Sequence, residues 1–346
     1  MAYTEQSLLE QLADISLQAQ TNGWNNHGSR IRGLSGDELE SELALAIQAY
    51  TAPSYLIAQG LLIENSSSGF MRQLRLATVA MNINVADAQR RAGGVHLDEA
   101  VVSLEESYEL ARKFNDPLLT ARGGNFLSLA YSAQGYRKIK ETDYKGALAA
   151  FQGIERLFQN MDFDAATGKT ALMMHANMAE NYLNMVRIIE IGSLDNTNVN
   201  LYLNLARENS EKAKQMLDDL NYTPTPDLPA NEMANWYANV HAYRGKIVRY
   251  KRDFSTAIDE FSTALRYSQG GEHNLPGANY PLQVAVLQTE LLYTVMKNDQ
   301  PQQDVEVSIL LENVTTFRKE QNFGDLDAIY EPMLTEVRQY FTSTPS

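Results

Sequence analysis

Apolar positions recur at helical spacing along nearly the whole chain. β-branched residues are scattered, and no run reads as a half-buried strand. Leu8, Leu9, Leu12, Ile15 and Leu17 mark a first helix over Tyr3–Gln20. Thr21–Gly36 is rich in Gly and Asn, has no period, and reads as a loop. Ser35 with Glu38 has the form of a capping box and opens a second helix to about Tyr50. Pro53 suits the first turn of a third, ending near Glu64. The run Asn65–Gly69 (NSSSG) is a flexible break. It divides residues 1–66, a short N-terminal helical bundle, from residues 67–346.

From Phe70 onward the pattern is one of helical hairpins. Predicted helices cover Phe70–Arg91, Asp98–Phe114, Pro117–Lys140, Tyr144–Asn160, Thr170–Ile191, Val199–Leu220, Pro229–Tyr250, Phe254–Gln269, Tyr280–Lys297, Gln302–Glu320 and Asp325–Phe341. Gly93-Gly94 stops one helix, and Asp116-Pro117 caps and starts another. The expectation is an all-α protein, roughly two-thirds helical or more, without a sheet.

One order of residues occurs twice. Gly135, Asp143, Tyr144, Ala147 and Phe151 match Gly245, Asp253, Phe254, Ala257 and Phe261, each pair 110 residues apart. Ala257, Phe261 and Ala264 share one helix face, where small residues let a neighbouring helix approach and the aromatic fills the gap. This order resembles the tetratricopeptide repeat, a helix-turn-helix unit of about 34 residues. The family often has Trp early in its first helix; here Tyr131 and His241 stand at that place. The resemblance implies an α-α superhelix of hairpins, closed by a C-terminal capping helix; the predicted helices are longer than those of the compact consensus, as in an elongated relative of the repeat. It also implies that first helices line a concave groove in which Asn grips the backbone of an extended peptide. Alignment on Ala257 and Ala147 puts Asn239, Lys246, Asn125 and Tyr136 at groove-facing positions.

Charge narrows the function classes. The chain has 29 basic and 43 acidic residues, a net charge of −14. Nucleic-acid surfaces need a basic stripe to replace counterions, so no nucleic-acid partner is expected. No apolar run approaches the ~18 residues of a spanning helix, so no membrane insertion is expected. The start, Met1–Gln20, has neither a basic n-region nor a continuous apolar h-region, which points to a cytoplasmic location. With no cysteine there is no disulfide, thiol catalysis or thiolate metal site.

Several catalytic-looking patterns fail on their chemistry. Gly168-Lys169-Thr170 resembles the end of a phosphate loop, but Phe163 stands where the first Gly belongs and no strand precedes it. Asn160, Asp162 and Asp164 begin like a calcium loop, yet Ala165 and Ala171 occupy the turn-glycine and bidentate-Glu positions. A polar turn with Asp164 as N-cap fits better. Tyr136 and Lys140 have the spacing of a dehydrogenase pair without the sheet that chemistry needs. The five histidines, His27, His96, His175, His241 and His273, lie out of helical reach of one another. The loop Trp24–Arg30 gathers Trp24, His27 and Arg30, and reads first as a connector whose Trp packs back on the bundle.

What remains is asparagine at helical spacing, in a chain with 26 of them. Asn231, Asn235 and Asn239 form one stripe; Asn177, Asn181 and Asn184 form another. Asn disfavours helix interiors because its side chain competes for backbone hydrogen bonds. An amide also accepts from a peptide N–H and donates to a peptide C=O, so a stripe can face a ligand or simply face water. The candidate ligand-binding set is Asn82, Asn125, Tyr136, Asn177, Asn181, Asn184, Asn235, Asn239, Tyr243, Lys246 and Arg249. Lys246 and Arg249 would meet a carboxylate of the bound segment. The expected function is a non-enzymatic scaffold holding a protein or peptide segment, with no cofactor and no metal. The alternatives are a ligand- or peptide-sensing regulator and, third, an enzyme with its site near His27.

Overall fold

The computed structural model describes residues 4–28, 30–31, 34–160, 168–226, 228–270, 272–278, 280–298, 306–321, 323 and 326–343. The described residues are 82% helical, and no strand occurs among them. Fourteen α-helices run in order there: α1 Glu5–Asn22, α2 Gly36–Tyr50, α3 Ser54–Leu61, α4 Ser68–Ala92, α5 His96–Lys113, α6 Pro117–Lys140, α7 Tyr144–Gln159, α8 Gly168–Ile191, α9 Val199–Asp218, α10 Ala230–Tyr250, α11 Phe254–Gln269, α12 Pro281–Asn298, α13 Val307–Glu320 and α14 Asp327–Ser343. They group into two compact units. One holds residues 1–134 and 159–161, the other 135–158 and 162–346.

In the first unit, Leu8 and Leu12 of α1, Leu56 and Ile57 of α3, and Phe70 and Leu74 of α4 form one core. Ile31, Leu43, Ala46, Tyr50 and Ala88 form a second. The segment after α1 departs from the expected loop: Gly23–Gly28 is a π-helical turn. The reason is steric. A Cβ on Gly23 would stand 2.5 Å from the Tyr50 ring, and one on Gly28 2.8 Å from its hydroxyl. The two glycines let the backbone lie directly on Tyr50. Ser35 stands at the N-cap of α2 without a side-chain hydrogen bond, so the expected capping box is not formed. At α6 the expectation holds, with Asp116 Oδ1 accepting from the Leu119 amide at 2.9 Å. The proposed N-cap Asp164 lies outside the described residues.

In the second unit, consecutive helices pack on one another: α8 on α9 and α10, α10 on α9 and α11, α11 on α12, and α12 on α13 and α14. The 110-residue correspondence is structural as well. Gly135 meets the ring of Phe151, and Gly245 meets the ring of Phe261. Thr142 and Arg252 turn left-handed, with φ of 61° and 64°. The next amide bonds back to a carbonyl five residues earlier: Asp143 to Lys138 at 2.9 Å, Asp253 to Val248 at 3.0 Å. The aspartate then caps the following helix, through the Gly146 amide at 2.9 Å and the Thr256 amide at 3.2 Å. Each turn thus stops one helix and starts the next within four residues. Asn115-Asp116 makes the same turn in the first unit, with φ 51° at Asn115 and the Asp116 amide bonded to Ala111.

Arg252 is exposed, and its left-handed backbone costs an L-residue about 1–2 kcal/mol. Arg252→Gly is expected to stabilise the protein by about 0.5–1 kcal/mol, net of glycine's greater unfolded-state freedom. A lower urea midpoint for the variant would contradict this account of the turn.

Candidate functional site

Four helices of the second unit turn a polar-apolar stripe toward one seam. On α8 it runs through Glu180, Asn184 and Arg187; on α10 through Asn239, Tyr243 and Lys246. On α12 it is Gln283, Leu287 and Glu290, and on α14 Ile329, Tyr330 and Met333. The first three sets are i, i+4 and i+7, and Ile329 and Met333 are i and i+4 with Tyr330 beside them, so each lies on a single helix face. With Tyr136 and Arg249 they enclose a cavity of about 150 Å³.

The centre of the seam is Glu290. Its Oε2 accepts from Arg249, and its Oε1 accepts from the Tyr330 hydroxyl at 2.9 Å. Lys246 Nζ stands 3.3 Å from Oε1 and donates to Tyr330 Oη at 3.1 Å. Burial alone pushes the Glu290 carboxyl upward. The charges of Arg249 and Lys246, with hydrogen bonds from Arg249 and Tyr330, outweigh it and hold the group at about 2. Around this centre the polar groups pair across helices. Asn184 Nδ2 donates to Tyr136 Oη at 2.9 Å, Gln283 Nε2 to Asn239 Oδ1 at 2.8 Å, and Tyr243 Oη to Glu180 Oε2 at 3.4 Å. Burial, reinforced by Glu180 at Tyr136 and Tyr243 and by Glu290 at Tyr330, raises all three tyrosine hydroxyls well above their usual range. They are neutral donors, suited to hydrogen bonding.

Of the residues expected to bind, Tyr136, Asn184, Asn239, Tyr243, Lys246 and Arg249 meet at this cavity. Asn181 does not. It is 2% exposed, and its Nδ2 donates to the Phe151 carbonyl at 3.1 Å, tying α8 to α7. Asn177 and Asn235 are half-buried and stand outside the lining. Asn82 and Asn125 belong to the first unit. There Asn82 is exposed beside an apolar groove, and the Asn125 carbonyl accepts from Ser128 Oγ at 2.7 Å. The charge expected of Lys246 and Arg249 is corrected too: it is taken up by the chain's own Glu290.

Glu180, Arg187, Gln283, Glu290 and Tyr330 were not anticipated. Glu290 had a signal, because it is the one charged residue between Pro281 and Met296, a lone acid in an apolar helix. Tyr330 had none, since nothing local says that α14 lies against α12. Elsewhere His27 Nδ1 pairs with Glu42 at 2.9 Å and His96 Nε2 with Glu40 at 2.9 Å. Lys169 is paired with Glu232. Among the described residues no cluster of His, Cys, Asp and Glu could hold a metal ion, and no helix is long and apolar enough to cross a membrane. Comparison with protein-family models and with curated proteins returns no match.

Proposed function

We propose that this chain is a non-enzymatic binding protein built on hairpins of the tetratricopeptide type, with its ligand site in the polar seam of the second unit. The observation that carries this reading is the convergence of Tyr136, Asn184, Asn239, Tyr243, Lys246 and Arg249 on one cavity. The seam offers amides and neutral hydroxyls, groups that recognise peptide or other polar ligands by hydrogen bonding. A volume of about 150 Å³ equals the share of about five waters, or one side chain. With α14 in place the site therefore takes a single side chain or a small polar molecule, and a longer segment requires α14 to move. That closure favours a second reading, a sensor whose ligand shifts α14. Pro332 lies inside α14 and removes an amide from its hydrogen-bond ladder, so this helix depends heavily on packing.

A peptide library displayed on phage and panned on the full chain tests the leading reading. Peptides recovered on the parent are expected to bind Asn239→Ala with Tyr243→Phe about tenfold more weakly or worse. The melting temperature should fall only modestly, because the Tyr243 bond is long and Asn239→Ala gives up one partly buried hydrogen bond, from Gln283. Equal affinity for the double variant, or recovery of no peptide, defeats the peptide-binding reading.

A further inference from the structure

The first unit holds a cluster of guanidinium groups that the proposed function leaves unused. Asp87 on α4 is buried and saturated. Its Oδ1 accepts from Arg90 Nε at 2.9 Å and Nη2 at 2.6 Å, and its Oδ2 from Arg91 Nε at 2.9 Å. Arg91 lies over the Trp24 ring, Cζ to centroid 4.2 Å. Its Nε is thereby used, and its two terminal nitrogens have no acceptor among the described residues.

Arg122 of α6 is the third member. Its Nη2 donates to Asn84 Oδ1 at 2.5 Å and its Nη1 reaches Gln20 Oε1 at 3.4 Å. Both acceptors are neutral amides, and among the described residues no carboxylate pairs with it. Asn84, Asp87 and Arg91 are i, i+3 and i+7 on α4, and Gln20 and Trp24 are i and i+4 across the start of the π-helical turn. Arg122 and Arg91 therefore stand along the same face. The Tyr50 hydroxyl is at this face too: Gly28 sits between it and the Trp24 ring, its missing Cβ 2.8 Å from one and 3.3 Å from the other. Burial lowers Arg122 from its usual range, against the opposing charge of Asp87; burial and then Asp87 raise Tyr50, against Arg91 and Arg122, which pull it down. Three guanidinium groups thus share one carboxylate in a chain whose net charge is −14. A π-helical turn inserted next to such a cluster is the kind of irregularity that recurs at functional sites.

We infer that the first unit carries a small-oxyanion site, for a phosphate or carboxylate group, between the terminal N–H groups of Arg91 and Arg122 beside Trp24 and Tyr50. Two guanidinium forks match an oxyanion in geometry and charge, and partial burial strengthens those bonds. The Tyr50 hydroxyl supplies a neutral donor. The site is independent of the cavity in the second unit.

The test uses the full chain with Trp236→Phe, so that emission reports Trp24, the other of its two tryptophans. Sodium phosphate and sodium acetate are titrated separately against sodium chloride at equal ionic strength. Trp24 emission and the melting temperature are read together. Phosphate, acetate or both are expected to give a saturable change that chloride does not, and the arm that responds names the group. Arg122→Met is expected to weaken that response about tenfold or more. Arg91→Met, which spares the Asn84 and Gln20 bonds of Arg122, should do the same and serves if Arg122→Met does not fold. The inference is overturned if both anions only match chloride, or if the folded Arg variants respond like the parent.

Discussion

Phe261→Ala is expected to lower the free energy of unfolding by about 3–5 kcal/mol. The ring is fully buried, in a core with Ala242, Ala257, Ala264, Leu287 and Leu291. It also lies against Gly245 and beneath the Arg249 guanidinium, Cζ to centroid 5.6 Å. Removing it opens a cavity between α10, α11 and α12 that rigid neighbours cannot fill. The reciprocal change, Gly245→Leu, should destabilise by about 1–3 kcal/mol, because even its Cβ would meet Phe261 at 3.0 Å. Propensity alone would favour Leu over Gly in a helix, so the sign separates packing from propensity. Urea unfolding measures both. A cost near zero for Phe261→Ala would mean that the packed face of α11 has been assigned to the wrong side.

Glu290→Gln should cost about 3–5 kcal/mol, since it leaves Arg249 buried and Lys246 largely so without their carboxylate. The same group makes stability depend on pH. Its ordinary value of 4.5 is lowered to about 2 in the fold, so its contribution is fully present above the unfolded value. It is lost as pH falls from 4.5 through about 2, and amounts to about 3 kcal/mol. Unfolding free energy measured across that window should fall more steeply in the parent than in Glu290→Gln. Parallel curves would show that Glu290 does not titrate as described. Replacing Glu290, Arg249 and Lys246 together by apolar residues should cost far less than breaking the group at one member.

Helices and turns were largely legible because their causes are local. The Asp143 and Asp253 turns, the stop at Gly93 and the cap at Asp116 each depend on residues a few positions apart. The match of Gly135 with Phe151 and of Gly245 with Phe261 could be read from spacing, since glycine opposite an aromatic is a steric statement. Where local reading failed, a distant residue decided. Thr21–Gly36 reads as a loop until Tyr50 supplies the surface on which Gly23–Gly28 winds into a π-turn.

The candidate site divides along the same line. The sequence by itself determined that asparagines, tyrosines and cations recur at helical spacing on α8 and α10, because periodicity within a helix is independent of its neighbours. It did not determine which edge of each stripe meets another helix. Asn181 and Asn184 are less than a turn apart on α8, yet one ties down the Phe151 carbonyl and the other reaches Tyr136 at the cavity. The tertiary structure alone decided that Glu290 neutralises Lys246 and Arg249, and that Tyr330, 84 residues beyond Lys246, closes the seam. The physical reason is that a helix stripe spans a wide arc, and whether a polar group at its edge is staple, lining or solvated depends on the side chains that long-range packing brings opposite it.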